Sequence, residues 1–381
     1  MSHRGRPVGW RRAALTTVSS AVLTAVLAGN VPVAGAQSSP AVTYLPAVGG
    51  SLAVGIDQRP TGCNPNTATG NTWADRMLLA PVLPSTFFVS DTGSSRYDSA
   101  VIEQAELQST KPETVVYTIN PRAVWSDGTP ITAADFKYAW QMQRTPLDLA
   151  TGSKANVTTS AGYDEIRSVA GSNHGRTVTV VFATQFADWQ SLFNYLLPAH
   201  VLQRTGWSPA CTTLDPAVDL SGGPYEIGSV NQSTIVLVRN PRWWGNPPNL
   251  DRVVIRIIQN EAQMVSWLRT GRVQVVAPTA FDPPFLEAIA GMPSVTAQAN
   301  ISSTFLQVEF STTSPVTASL DVRLALAHAI DRQALVNAEV GWASILTVPS
   351  ISHIYVQTQN PYPSTPQFQP VNLPSTTTTT Q

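Results

Sequence analysis

With only two cysteines, Cys63 and Cys211, in 381 residues, this chain can form at most one intramolecular disulfide. Charge is scarce too: Asp, Glu, Lys and Arg make up 12% of the residues and the formal net charge is -1. Beyond the N-terminus the Lys and Arg residues are scattered, so there is no basic field to attract nucleic acid. The chain also lacks a Gly-x-Ser-x-Gly elbow, a His-Glu-x-x-His pair and a Gly-x-x-x-x-Gly-Lys loop. Past the first residues, His174, His200, His328 and His353 are the candidate bases, and His200 follows Leu197-Pro198-Ala199 as a structural residue would. His328 and Asp331 stand three apart on a helical pattern with no further ligand clustered near them, so no metal site is expected. No catalytic residue and no cofactor are expected, and internal repeats are absent.

Apolar material is plentiful: hydrophobic residues make up 43% of the chain and ten of the residues are tryptophans, enough for two or more globular domains. Residues 1–36 read as a signal peptide. His3, Arg4, Arg6, Arg11 and Arg12 give a basic start, Ala13 to Gly29 is small and apolar, and Ala34-Gly35-Ala36 is a cleavage site before Gln37. Five Ser or Thr residues interrupt the apolar stretch, which argues against a membrane span, with retention as an uncleaved anchor the other reading. No cysteine directly follows the leader, so lipid anchoring is not expected. Export would permit a Cys63–Cys211 disulfide, the alternative being two buried free thiols. Residues 359–381 are rich in Pro and Thr and are expected to be disordered.

Two blocks dominate the middle of the chain. In the first, Val115 to Ile119 reads as a strand, Asp127-Gly128 as a turn with Trp125 as an apolar anchor, and Thr132 as a helix N-cap. Asp135 falls near the positive end of that helix, and Phe136, Ala139 and Trp140 follow at helical spacing. The roles of Trp125, Asp127 and Asp135 read as architectural rather than catalytic. In the second, Tyr225 to Ile227 and Thr234 to Val238 read as strands, the latter apolar enough to be buried on both faces, with Asn240-Pro241 ending it. Trp243 and Trp244 follow, and packing is preferred to ring stacking on a ligand. Val253, Ile255 and Ile257 alternate as a strand, and Asn260 with Gln263 suits a capping box. Met264, Trp267 and Leu268 give that helix its apolar face, Gly271 ends it, and Val273 to Ala277 returns as a parallel strand.

The blocks Ala123-Val124-Trp125-Ser126-Asp127-Gly128-Thr129-Pro130-Ile131-Thr132-Ala133-Ala134-Asp135-Phe136 and Arg239-Asn240-Pro241-Arg242-Trp243-Trp244-Gly245 resemble the signatures of family 5 extracellular solute-binding proteins. A third stretch, Asp321 to Leu335, is similar to the helix that opens the third domain of that family, with Val322-Arg323 at its start. Val322, Ala325, Leu326 and Ala329 would share one buried face of it.

What the resemblance implies is an α/β fold of the type II periplasmic-binding-protein kind, with mixed sheets and flanking helices. Laid onto this chain, it gives a discontinuous first lobe over 37–70 and 196–300, an inserted second domain over 71–195, and the start of an incomplete third lobe over 301–358. The function implied is capture of peptides or a related small solute between two lobes and delivery to the permease subunits of an ABC importer, by a periplasmic, envelope-associated or secreted monomer. The alternative is a truncated or repurposed relative with a sensing or cell-envelope role and no transport. Family correspondence puts Asn66, Thr304 and Phe305 towards the ligand, although an ordinary turn or strand role suits each as well. Trp125, Asp127, Gly128, Thr132, Asp135, Tyr225, Asn240, Trp244, Gly245 and Arg323 are the matching signature residues, all with structural roles. The Gly222-Gly223 turn admits either tight backbone geometry or hinge motion.

Overall fold

The computed structural model describes residues 48–90, 94–144, 156–207, 220–279, 282–296 and 307–340. The elements run β1 (Ser51–Ile56), α1 (Trp73–Leu79), β2 (Phe87–Val89), β3 (Ser95–Tyr97), β4 (Ile102–Thr110), β5 (Glu113–Ile119), α2 (Ala133–Arg144), β6 (Ile166–Ser172) and β7 (Thr177–Phe182). They continue with α3 (Ala199–Thr205), β8 (Tyr225–Val230), β9 (Thr234–Arg239), β10 (Arg252–Ile257), α4 (Glu261–Arg269), β11 (Val275–Ala277), α5 (Pro283–Ala290), α6 (Leu320–Ala329) and α7 (Arg332–Val340).

Two larger sheets organise the chain. One has five strands in the order β11-β1-β10-β9-β8, and the other has four in the order β4-β5-β7-β6. In the first, β1 pairs parallel with both β10 and β11, while β9 pairs antiparallel with β10 and β8. The sheet therefore joins a strand from near residue 50 to strands some 170 to 220 residues later. The β10–α4–β11 crossover expected from sequence does link two strands of the same direction, but β1 is inserted between them. The four-stranded sheet is antiparallel throughout, and β5 alternates strictly, with Val115, Tyr117 and Ile119 inward.

Helix α2 is apolar on two sides. Phe136, Ala139 and Trp140 enter the core built on β5, β6 and β7, which also holds Trp125 and Phe193. Tyr138 and Met142 enter a second core with α1, α3 and the five-stranded sheet. A third core sits between α4 and α5, around Met264, Phe285 and Ile289.

Local chemistry accounts for the ends of these helices. Asn260 Oδ1 accepts the Gln263 N–H at 3.1 Å at the start of α4, and Gly271, at φ 71°, follows its last turn. Thr72 and Asp75 form a reciprocal capping box on α1, and the buried Asp75 also accepts the N–H of Thr61 at 2.6 Å and of Gly62 at 3.1 Å.

Two expectations need correction. Strand β9 buries one face only, Ile235 and Leu237, while Val236 and Val238 on the other face are half-buried; β-branched composition alone does not distinguish one covered face from two. No side chain of α6 is buried, and Val322 and Leu326 are each 37% exposed, because an amphipathic stripe disappears from solvent only when another element covers it.

Candidate functional site

The first signature block is a tight turn held from within and from below. Gly128, at φ 92°, takes a conformation that a Cβ would strain, and its N–H donates to the Trp125 carbonyl at 2.8 Å. Asp127 Oδ1 accepts the Thr129 N–H at 2.8 Å, and Val124 bridges to Pro130. Beneath it, Arg176 from the β6–β7 hairpin donates through Nη1 to the carbonyls of Asn120, Ala123 and Ile131 at 3.2, 3.0 and 2.9 Å, and through Nη2 to that of Pro121 at 2.9 Å. One guanidinium thus gathers four carbonyls of the segment leading into the turn.

The second block meets the first in space. Ser126 N–H donates to the Ser221 carbonyl at 2.7 Å, and Ser221 N–H returns to Ser126 Oγ at 3.0 Å. The fully buried Ser221 hydroxyl donates to the Tyr225 carbonyl at 2.5 Å and accepts the Gly223 N–H at 3.0 Å. Asn240 Nδ2 donates to the Gly223 carbonyl at 2.9 Å, and its Oδ1 takes the Arg242 N–H at 2.9 Å. The Arg242 guanidinium then lies over Gly128, 3.2 Å from where a Cβ would stand. Tyr225 closes its end of the strand by donating to the Leu250 carbonyl at 3.0 Å. Trp243 and Trp244 pack against each other at 4.7 Å, and Trp244 Nε1 donates to the Ala100 carbonyl at 2.6 Å. A Cβ on Gly245 would strike the Trp243 ring at 2.5 Å, and one on Gly223 the Pro81 carbonyl oxygen at 2.4 Å. The Gly222-Gly223 pair is therefore there for close backbone approach, and neither residue has a positive φ. Arg323, in the third matching stretch, donates to the carbonyls of Thr317 and Ala318 just before its own helix.

Two carboxylates of the first block hold the start of α3. Asp135, 3% exposed, accepts the Thr132 N–H through Oδ2 at 2.8 Å and the Ala199 N–H through Oδ1 at 2.9 Å. One buried carboxylate therefore serves the N-termini of both α2 and α3, and α3 has no side-chain cap of its own. Burial pushes the Asp135 carboxyl up to about 6 against the lowering pull of these N–H groups and of His200. His200 Nε2 lies 2.8 Å from Asp127 Oδ2. Burial raises the Asp127 carboxyl, but the Thr129 N–H and His200 outweigh it, and the net shift is below the ordinary value.

The C-terminal edge of the parallel strands is where open α/β sheets gather ligands. After β1, Asp57 Oδ2 accepts the Thr279 N–H at 2.8 Å, which ties the edge to the residues following β11. Glu261 opens α4 and Asp282 caps α5; burial pushes the Glu261 carboxyl up, and neighbouring Asp282 adds to that. The loop from Cys63 to Gly70 folds on itself. Asn64 Oδ1 accepts the Asn66 N–H at 3.0 Å, Thr67 Oγ1 donates to the Asn64 carbonyl at 2.8 Å, and Gly70 N–H donates to Thr67 Oγ1 at 2.9 Å. Asn66 is half-buried, donates to the Tyr195 carbonyl at 3.1 Å, and accepts the Thr158 N–H at 2.8 Å through its own carbonyl. Its amide thus already serves the fold. Thr304 and Phe305 lie outside the described residues, as does Cys211. Cys63 is buried, and among the described residues no cysteine is a free thiol. No three His, Cys, Asp or Glu side chains among the described residues cluster to hold a metal.

Residues 98–371 match the profile of bacterial extracellular solute-binding proteins, family 5 Middle. The chain is 29% identical over 322 residues to the oligopeptide-binding protein OppA of Mycobacterium tuberculosis, covering 82% of this chain and 52% of that one. Over 332 residues it is 27% identical to the probable monoacyl phosphatidylinositol tetramannoside-binding protein LpqW of the same species, covering 85% and 50%. Among solved structures it resembles the periplasmic EDTA-binding protein EppA, with TM-score 0.60, 32% identity, and 68% of this chain and 49% of that one covered. The fold is also that of the oligopeptide-binding protein AppA from Bacillus subtilis in complex with a nonapeptide, with TM-score 0.59, 16% identity, and 77% and 56% covered. The chain spans about half the length of the curated relatives it matches.

Proposed function

The chain belongs to family 5 of the bacterial extracellular solute-binding proteins, and from that premise we propose that it captures peptides outside the cytoplasm and delivers them to the permease subunits of an ABC importer. The observation that carries this reading is the match to OppA across most of the chain, including both signature blocks. We take the parallel edge of the five-stranded sheet as the binding region, since open α/β sheets gather ligands at such edges. Asp57, Glu261 and Asp282 put negative charge there, suited to the ammonium group at a peptide's N-terminus. Asn66, whose side-chain amide is engaged by the Tyr195 carbonyl, remains with Thr304 and Phe305 our candidate for contact with ligand. Ligand bridging two lobes would favour a closed form by its greater affinity for that form. We assign no catalytic role to any residue.

LpqW favours a second reading, in which the solute is a glycolipid or another small molecule and the chain acts at the cell envelope without transport. Residues 1–36 would direct export in either case. Among the described residues no helix is long and apolar enough to cross a membrane. Native mass spectrometry of protein purified from its own cells separates the two: bound masses matching short peptides support the importer reading, and a lipid mass supports the second. Export also bears on Cys63 and Cys211, which we propose are paired. Peptide mapping without reduction is expected to find the two cysteine peptides linked, and two singly alkylated peptides would contradict the bond.

A further inference from the structure

Strand β10 and helix α4 bring two arginines onto one tryptophan. Alternation along β10 sends Ile255 and Ile257 into the core shared with α1 and α3, so Arg256 faces the α4 side, with Gly55 and Thr234 as its cross-strand neighbours. Its guanidinium carbon stands 5.9 Å from the centre of the Trp267 ring. At the end of α4, Gly271 turns the chain at φ 71°, and the Arg272 N–H donates back to the Trp267 carbonyl at 2.8 Å. That reversal lays the Arg272 guanidinium over the same ring, at 4.4 Å. Among the described residues the ion pairs are His200–Asp127 and Arg239–Asp251, so no carboxylate neutralises Arg256 or Arg272.

Arg256 differs from the other arginines in its degree of burial. Of the four half-buried arginines among the described residues, Arg176, Arg239 and Arg323 each donate to carbonyl oxygens. Arg256 donates to none, and its Nε is buried with no hydrogen-bond partner. A half-buried guanidinium without an acceptor is unfavourable, and a second cation on the same ring adds repulsion that the π face offsets only in part. An anion bound to the two guanidiniums turns that repulsion into attraction.

We propose that Arg256, Trp267 and Arg272 form an oxyanion site for a phosphate group, opposite in charge to the acidic edge at Asp57, Glu261 and Asp282 and independent of peptide capture. Two guanidiniums match the up to two negative charges of a phosphate, and their planar forks suit its oxygens. A single carboxylate, such as a peptide C-terminus, would leave one cation unmatched. The formal net charge of -1 gives the chain no general attraction for anions, so the affinity comes from this local pair. A free phosphate ion and the phosphate of a lipid headgroup offer the same oxygens to these donors.

Calorimetric titration of the full chain with inorganic phosphate, at an ionic strength held constant with chloride, tests this. Saturable binding is expected, with a change in tryptophan fluorescence that is lost in Trp267→Phe. Arg256→Gln and Arg272→Gln are each expected to weaken phosphate binding by about tenfold or more. Arg272 is exposed, so its variant keeps the test decisive even if Arg256→Gln fails to fold. Flotation with phosphatidylcholine vesicles containing phosphatidic acid separates the two sources. Flotation that Arg272→Gln reduces assigns the phosphate to a headgroup, and phosphate binding without flotation assigns it to the free ion. A response that chloride alone reproduces, phosphate and vesicle binding unchanged in Arg272→Gln, or no binding of either would overturn the proposal.

Discussion

Trp125→Ala is expected to destabilise the chain by about 3–5 kcal/mol, with a matching fall in the urea midpoint and little change in the slope of the transition. Trp125 is fully buried and belongs to the same core as Tyr117, Phe136 and Phe193. Its backbone N–H closes the signature turn onto the Thr129 carbonyl at 2.8 Å, and its own carbonyl takes the Gly128 N–H. Truncation leaves a cavity of indole size where the antiparallel sheet, the turn and α2 meet, and those elements are too constrained to collapse into it. Trp125→Phe keeps a ring in the core, losing part of the indole volume and the indole N–H that acts on Asp135, and is expected to cost about 1–2 kcal/mol. Equal losses in the two variants would mean that the N–H, not the packing, holds the turn.

Arg176→Ala is expected to cost about 3 kcal/mol, although Arg176 touches no carboxylate and lies far from either signature in sequence. Its four bonds go to the carbonyls of Asn120, Pro121, Ala123 and Ile131. Hydrogen bonds from a charged donor contribute more than neutral ones, and the half-buried site lets water recover only part of what is lost. Lysine at this position cannot fork its donors across four acceptors, so Arg176→Lys is expected to recover less than half of the loss. Hydrogen exchange at the amides of Gly128 and Thr129 should quicken in both variants, since these protect the turn above the guanidinium. Unchanged exchange there would show that Arg176 acts on the β6–β7 hairpin alone.

The local reading from sequence succeeded where neighbours in sequence are neighbours in space. The strand, turn and helix of the first block, the Asn260 cap and the Gly271 stop all follow from residues within a turn of each other. The meeting of the two blocks was legible only in outline. Ser221 and Arg176 belong to no motif: Ser221 meets Ser126 across 95 residues, and the carbonyls that Arg176 gathers lie 45 to 56 residues away in the chain. His200 was read as structural, but its partner Asp127 is 73 residues distant and no spacing rule connects them. The buried faces of β9 and α6 were misjudged for a related reason: apolar composition records a capacity for burial, while the covering element is supplied from elsewhere. The insertion of β1 between β10 and β11 follows from long-range pairing, which periodicity does not encode.

The central claim is that this chain binds a solute, and calorimetric titration tests it most directly. Residues 37–381 would first be shown to be folded by thermal melting and then titrated with a mixed library of di- to hexapeptides. Binding at micromolar affinity or tighter, with quenching or shift of tryptophan fluorescence as the lobes close, is the predicted result. A folded protein that releases or absorbs no heat with any peptide would contradict peptide capture by this chain and turn attention to the glycolipid reading.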